Sequence, residues 1–342
     1  MNYFKTIVIF GGTGFIGISF SKKLLEDGIV DKVYLLDIDS LDHKTSEFRK
    51  KQLANDDRIS YINCDVRQVI NWQPEVNISL IANFAAIHRE PGHEDYEYYE
   101  TNLLGSENVC AFAERVGCNN IIFTSSISPY GSSEDEKDET SLPVPTTAYG
   151  GSKLAAEKVH QIWQAKDEVN RRLVIVRPGV VFGPGEGGNV SRLIKAVLGR
   201  YFFYMGNKHT RKAGTYVKEL CNAMLWVLDN QDKHGEKVSL FNMSMNPGPS
   251  IKEYVDTICE VSGEKRLVPV VPYKLLIAIA YVIDLIAKPL NIKHPFSPVR
   301  IRKLVRSNNI LPNYLVSKGY VYQYTLRTAL EDWKKECPEE WK

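Results

Sequence analysis

Residues 7–17 read Ile-Val-Ile-Phe-Gly-Gly-Thr-Gly-Phe-Ile-Gly, an apolar run of strand character that ends in glycines at 11, 14 and 17. Three glycines so spaced, between a strand and an amphipathic helix, leave few folds open. Gly11 permits a tight turn, Gly14 lets the backbone approach a pyrophosphate, and Gly17 allows close packing of helix on strand. The helix that starts at Phe15 and Ile16 then offers free N–H groups and a partial positive charge to phosphate. An acid about 20 residues further on, at the end of the next strand, completes the pattern, and Asp37 holds that place. Its carboxylate can accept from both ribose hydroxyls and repels a 2′-phosphate. No arginine follows closely, so NAD is expected over NADP. The glycines alone would mark only a tight turn; their flanking strand, helix and acid carry the nucleotide reading.

Strand-like and helix-like segments alternate beyond this point, as a parallel sheet requires. Strands are expected at 6–10, 32–36, 59–62, 78–84, 120–125 and 173–177, and helices at 15–27, about 95–116 and 149 to about 167. Right-handed crossovers make these a Rossmann-like, doubly wound α/β sheet with its ligand site at the carboxyl ends of the strands. A chain of 342 residues with 44% hydrophobic content can bury a large core. The expected division is an NAD-binding domain over 1–177 with a returning segment at about 215–245. A smaller C-terminal substrate-binding α/β domain takes 178–214 and 246–342. The one clear polar loop, Ser132–Thr140, is acidic and expected to be mobile.

A second constellation lies downstream. Tyr149-x-x-x-Lys153 puts phenol and ammonium one helical turn apart on the same face. There the ammonium lowers the phenol's pKa and makes it a proton-transfer group near neutral pH. The strand end Thr124-Ser125-Ser126 supplies hydroxyls. Any of the three could act on substrate, or all could merely satisfy strand-end backbone groups. A solvated Lys153 would leave the matching Tyr and Ser unexplained. Arg177 reads as a structural pairing group at its strand end.

Together these residues resemble the extended short-chain dehydrogenase/reductase family, the NAD-dependent sugar epimerases and dehydratases. The likeness rests on the glycine turn, Asp37, CDV (64–66), NFAAIHR (83–89), Asn102, FTSSISPYG (123–131), YGGSK (149–153) and RPGVVFGPG (177–185). It implies that Asp65 and Val66 flank the adenine, Ala85 and Ala86 line the nicotinamide side, and Asn102 orients the loop below the cofactor. It also implies that Pro178 and Val180 contact the carboxamide, that Ser126, Tyr149 and Lys153 are catalytic, and that His88, Arg89, Ser126, Asn189, Lys212 and Arg300 meet substrate. Hydride leaves a carbinol as Tyr149 takes its proton; return to the other face of a retained ketone gives an epimer, and product release gives a net dehydrogenase. Dehydratases of the family carry Asp-Glu just after the Ser, where this chain has Ile127-Ser128. That argues against dehydration. A non-catalytic NAD-binding module fits least with the intact Ser/Tyr/Lys set.

The last third is unusual in charge. Residues 275–287 form an apolar run of 13, interrupted only by Asp284 and too short to span a bilayer. From Leu285 to Leu330 there is no acid, while Lys288, Lys293, Arg300, Arg302, Lys303, Arg306, Lys318 and Arg327 make the stretch basic. An apolar helix beside a basic cluster suits an anionic membrane surface; a substrate-domain helix beside a phosphate pocket is the alternative. Recognition motifs for nucleic acid are missing, so that partner is not expected. The six cysteines form no metal-ligand cluster and the N-terminus reads as no secretory leader, so reduced thiols in the cytoplasm are expected and no metal is. Within the family, PYKLL (272–276), SPVRIRK (297–303) and GYVYQYTLRTAL (319–330) resemble bacterial 4-epimerases of surface-polysaccharide assembly that act on N-acetylglucosamine attached to undecaprenyl diphosphate. Lys212-Ala213-Gly214 stands where soluble nucleotide-sugar epimerases have Arg-Asp-Tyr, which leaves the carrier open: polyprenyl or UDP. The resemblance also implies a homodimer, working in the cytoplasm or at the inner face of its membrane.

Overall fold

Ile7, Val8, Ile9 and Phe10 are all fully buried, although successive side chains on a strand point to opposite faces. Strand β1 (Phe4–Phe10) must therefore be covered on both sides, the condition of a parallel sheet between helical layers. The computed structural model, which describes residues 4–41, 47–53, 56–90, 92–287 and 307–342, has this arrangement. Seven parallel strands run in the order β10-β6-β5-β4-β1-β2-β3. They are β1 with β2 (Val30–Asp37), β3 (Ile59–Asn63), β4 (Leu80–Asn83), β5 (Asn120–Thr124), β6 (Arg172–Pro178) and β10 (Val238–Met243), β1 lying between β4 and β2. The strand order reverses between β1 and β4, which is where such sheets open their ligand crevice. Register keeps the carboxyl ends level: Phe10 pairs with Leu36 and Asn83, Asn83 with Phe123, and Thr124 with Val176.

Helices α1 (Phe15–Glu26) and α7 (Val217–Asn230) cover one face, burying Phe20, Leu24, Leu220 and Met224 against Ile7 and Ile9. On the other face, α4 (Gly105–Arg115) and α5 (Ala148–Ala165) bury Val109, Phe112, Ala156 and Trp163 against Val8, Phe10 and Phe123. The single helix expected over 95–116 is instead α3 (Asp95–Tyr98), a π-helical turn (Tyr99–Leu104), and then α4. The wider turn is centred on the segment that carries Asn102, and such bulges collect at functional sites.

A third hydrophobic cluster stands beyond the sheet. It gathers Phe182 of β7 (Val180–Phe182), Ile194 of α6 (Asn189–Leu198), Tyr216 of β9 (Gly214–Tyr216), Tyr254 of α8 (Ile251–Ser262) and Trp333 of the C-terminal α11 (Leu326–Glu336). Two small sheets, β7–β9 and β8 (Tyr204–Met205) with β11 (Val270–Val271), brace it. The short α10 (Asn313–Ser317) returns to the main sheet, where Leu315 and Tyr320 join the α1–α7 cluster.

Two expectations change. The acidic loop Ser132–Thr140 is pinned rather than free: Lys137 bridges Ile310, Asn309 donates to the Glu134 carbonyl (2.9 Å), Asn313 to Asp138 (3.0 Å), and the Asn242 N–H to Glu139 (2.8 Å). Of the eight basic residues between 285 and 330, Lys318 and Arg327 are paired, with Glu236 (2.6 Å) and with Glu260. The other six, including the substrate candidate Arg300, lie outside the described residues. The apolar run is helix α9 (Tyr273–Ala287).

Candidate active site

The glycine turn sits at the crevice. Gly11 has φ +70°, in the left-handed region, and a Cβ there would meet the Ala85 backbone nitrogen at 2.7 Å; one at Gly17 would meet the Gly11 carbonyl at 2.5 Å. No side chain fits either place without moving backbone. The turn is closed by a hydrogen bond from Gly14 N–H to the Gly11 carbonyl (3.1 Å), and α1 opens at Phe15 and Ile16 with its first N–H groups facing the turn. Asp37 caps the end of β2 and accepts from the Thr13 N–H (3.2 Å), so its carboxylate is held beside the turn. Asp65 is held differently, by the Arg67 guanidinium (2.7–3.1 Å), which keeps its carboxyl below the ordinary range. Val66 is buried and packs against Gly105.

Ala85 and Ala86 follow β4 directly, and the chain beyond them is fixed by Asn102. Its amide accepts from the Ile87 N–H (3.0 Å), donates to the Ile87 carbonyl (3.1 Å), and reaches Ser152 on α5 (2.9 Å). One side chain thus clamps both backbone groups of a single residue and ties the loop to the helix bearing Tyr149 and Lys153. Thr147 caps that helix, accepting from the Gly150 N–H (3.2 Å), and Gly150 lies so close to Ser128 that a Cβ would meet its carbonyl at 2.6 Å. The close approach presses the start of α5 onto the end of β5.

The three hydroxyls there separate in role. Thr124 donates to the Asn83 carbonyl (3.4 Å) and Ser125 to the Glu157 carboxylate (2.5 Å), both inward. Ser126 accepts from the Ser128 N–H (3.1 Å) and is the hydrogen-bonding neighbour of the Tyr149 phenol. Burial raises the phenol's pKa, and the Ser126 contact pulls it back. Lys153 is 1% exposed. Its ammonium lies over the Phe123 ring, 4.5 Å from the centroid, and forms no salt bridge among the described residues. Burial lowers its pKa to about 7, opposed by the Glu157 charge one turn along the helix. Among the described residues no hydrogen bond to this ammonium is made, and a ribose diol of a bound dinucleotide would supply acceptors.

Beneath the trio, Arg177 pairs bidentately with Glu157 (2.8 and 2.6 Å), both almost fully buried. Its guanidinium also covers the Tyr130 ring at 4.7 Å. This is the pairing role that its strand-end position suggests. Neighbouring His160 stacks on Phe123 at 4.1 Å and is held to a pKa of about 4 by burial. Neutral, it donates from Nδ1 to the Ala156 carbonyl (2.8 Å) and accepts from Asn83 at Nε2 (3.3 Å). Sequence reasoning misses Asn83, Ser152, Glu157 and His160. Only Glu157 carries a signal, its place four residues beyond Lys153.

Pro178 and Val180 bracket the crossing from β6 to β7: the Pro178 carbonyl accepts from Ile127 N–H (3.2 Å), and Val180 N–H donates to Ala213 (2.6 Å). The substrate candidates are more scattered. His88 and Arg89 reach solvent at the cleft mouth, and the Arg89 carbonyl accepts from Tyr98 (2.5 Å), whose ring lies 6.1 Å from that of Tyr149. Crowding by protein atoms and then the cations Arg89 and Lys153 hold the His88 imidazole below its usual range. Lys212 is half-buried and lowered by that burial, with Glu134 opposing. Asn189 is exposed at the start of α6, bonded to Arg192 (2.7 Å).

A parallel sheet whose first turn is glycine-built, whose second strand ends in an acid, and whose crevice holds Ser, Tyr and Lys defines a dinucleotide-dependent enzyme fold. A family model described as the NAD dependent epimerase/dehydratase family matches residues 7–242. The chain belongs to that family, and its cofactor is NAD. It is 30% identical over 326 residues, covering 95% of this chain and 93% of the relative, to the N-acetyl-α-D-glucosaminyl-diphospho-ditrans,octacis-undecaprenol 4-epimerase of Escherichia coli O157:H7. It is 24% identical, over 97% of this chain and 98% of the relative, to a decarboxylating sterol-4-α-carboxylate 3-dehydrogenase of Candida albicans. The structure of the UDP-Glc/GlcNAc 4-epimerase of Campylobacter jejuni shares the fold, with a TM-score of 0.73 at 20% identity over 97% of this chain and all of that one.

Proposed function

We propose that this protein is an NAD-dependent 4-epimerase acting on an N-acetylhexosamine carried by a polyprenyl diphosphate, in the assembly of surface polysaccharide. The observation that carries the reading is the Ser126–Tyr149–Lys153 arrangement at the sheet's carboxyl edge. The 30% likeness to a lipid-linked 4-epimerase over nearly the whole chain supports the substrate. NAD supplies a hydride acceptor that can return what it takes. Tyr149 removes the proton of the sugar hydroxyl, and Lys153 stabilises the phenolate; each unit of lowered pKa is worth about 1.4 kcal/mol. Ser126 donates to the oxygen as it becomes a carbonyl and fixes its position. His88, Arg89 and Lys212 are the substrate-side cations and donors of the cleft mouth.

Helix α9 favours the lipid carrier. Leu276 and Ala280 are buried against Phe203, Met205 and Val271, yet Leu275, Ile279, Tyr281, Val282 and Leu285 on its remaining surface are exposed, Leu285 at 75%. A helix whose charged residues are Lys274 and Asp284 alone, and which the described residues cover on one side, is unusual in water. The six cations at 288–306 follow it directly in sequence. An anionic membrane surface would receive both, with the enzyme docked at the inner face; no helix among the described residues is long and apolar enough to cross one. A second copy would cover Tyr96, Tyr99, Leu104 and Ile162, exposed on α3, the π-turn and α5.

The test is incubation of the purified enzyme, with no added cofactor, on a panel of UDP-sugars and polyprenyl-diphospho-sugars. Conversion of polyprenyl-diphospho-N-acetylglucosamine to its 4-epimer without NADH accumulation supports the reading. Rapid turnover of UDP-N-acetylhexosamine alone replaces it with a nucleotide-sugar epimerase. Stoichiometric NADH would instead favour a net dehydrogenase, the reading that the sterol-dehydrogenase likeness keeps in view.

A further inference from the structure

Away from the catalytic trio, three segments remote in sequence converge on one residue, Gly185. The Gly185 N–H donates to Glu340 Oε2 (3.2 Å), while its carbonyl accepts from Arg49 Nε (3.0 Å) and Nη2 (2.8 Å). Arg49, on the short α2 (Glu47–Gln52), extends to the Glu186 carbonyl as well (3.4 Å). Glu340 is itself held by the Trp333 indole N–H (2.7 Å). Gly185 thus has its donor and its acceptor both bound by charged groups, which make the stronger hydrogen bonds.

The place of this convergence matters. The Arg49 guanidinium lies 5.4 Å from the centre of the Phe15 ring, the first residue of α1 after the glycine turn. Gly183 faces the same ring: a Cβ there would stand in ordinary contact with Phe15 Cζ (3.6 Å) and too close to Val217 (2.8 Å). Residues 183–186 therefore form a strap laid across the first turn of α1, where the dinucleotide's phosphates are bound in this family's fold. The strap also joins β7 to α6, so it runs from the cofactor side towards the substrate side. Lifting it requires breaking the Arg49 and Glu340 bonds together, because they hold the two peptide groups that flank the Gly185 Cα.

We propose that Arg49 and Glu340 form a latch that holds the 183–186 strap over the NAD pyrophosphate site and retains the cofactor from one turnover to the next. The proposal rests on NAD binding at the glycine turn and not on the identity of the sugar. It suits a cycle in which the hydride is returned, since nothing then requires the cofactor to leave. In a net oxidoreductase the same latch would have to open at every turnover.

The experiment measures NAD retention rather than turnover. Wild type, Arg49→Met and Glu340→Ala are purified identically, their bound NAD is released and quantified, and the exchange of bound NAD for labelled NAD is timed. The expected result is near-stoichiometric NAD in the wild type, sub-stoichiometric NAD in both variants, and exchange at least tenfold faster in each. Arg49→Lys, which keeps the charge but loses the two-pronged grip, should fall between. Melting in excess NAD separates loss of the latch from loss of the fold, and Glu340→Ala tests the grip on the Gly185 N–H should Arg49→Met not fold. Folded variants that retain and exchange NAD as the wild type does overturn the latch. A wild type that binds no NAD even when stripped and resupplied overturns the cofactor site beneath it.

Discussion

The Glu157–Arg177 pair sets a measurable condition on the site above it. Both side chains are nearly excluded from solvent, Arg177 grips the carboxylate bidentately, and Ser125 donates to the same carboxylate. Burial opposes the arginine's charge, and Glu157 more than offsets it, raising the pKa above its ordinary value. Replacing Glu157 by Leu removes the ionic partner and leaves a buried guanidinium whose remaining contact among the described residues is with Tyr130. Breaking a buried pair in this way costs about 3–5 kcal/mol, against a total stability of roughly 5–15 kcal/mol. The double variant Glu157→Leu/Arg177→Met has no stranded charge and should recover most of that loss. Urea unfolding of all four forms, in saturating NAD, gives the coupling directly, and it should exceed about 2 kcal/mol. If Glu157→Leu costs under about 1 kcal/mol, or the two changes simply add, the pair does not carry the strand end that holds Ser126.

Four further outcomes are expected. Tyr149→Phe and Ser126→Ala should each lower kcat on the order of 10²–10⁴-fold, while Ser125→Ala, whose hydroxyl faces Glu157, should act chiefly on stability; a reversed order in steady-state kinetics refutes the assignment. Asp37→Ala should shrink the preference for NAD over NADP by removing charge-assisted bonds to the ribose, and unchanged preference in calorimetry on stripped enzyme contradicts it. Lys153 titrates at about 7 in the NAD-free fold, against 10.5 for an unperturbed lysine, so the unfolded chain binds more protons between those values and stability falls as pH drops through that window. Lys153→Met should therefore be inactive yet more stable than the NAD-free parent at pH 7, with the gap closing as pH rises towards 10.5; equal midpoints at pH 7 refute this. Vesicles with anionic lipid should recruit the protein at low salt and release it at high salt, and Arg302, Lys303 and Arg306 changed together to Gln should weaken recruitment by about 1 kcal/mol per charge; indifference to such vesicles in flotation removes the membrane contact.

What was legible in the sequence is what local backbone chemistry dictates. The turn at 11–17 needs glycine because backbone lies where a Cβ would be. Tyr149 and Lys153 share a face because helical periodicity leaves no choice. The π-turn at 99–104 was not legible, since it accompanies long-range bonds of Asn102 to Ile87 and Ser152 that helical periodicity does not encode. The acidic loop misled for a related reason. Its carboxylates and carbonyls looked solvated because their partners, Asn242, Asn309 and Asn313, lie 100 or more residues away.

The same distinction explains why the strap and the partner of Arg177 were invisible while the Ser126, Tyr149 and Lys153 pattern above them was not. A catalytic group must present a particular atom to a small ligand, so its residue type and spacing are constrained locally. A supporting group has only to satisfy a buried polar atom, and many residues at many separations can do that. Arg49, Gly185 and Glu340 meet from three distant segments, with no spacing to betray them. Glu157 is the intermediate case: its bond to Arg177 is long-range, but its place one turn past Lys153 puts a carboxylate on the Tyr149–Lys153 face of α5. A polar residue continuing the face of a catalytic helix into the core is thus a readable sign of the layer that positions the chemistry, where a solvated-helix reading would pass it over.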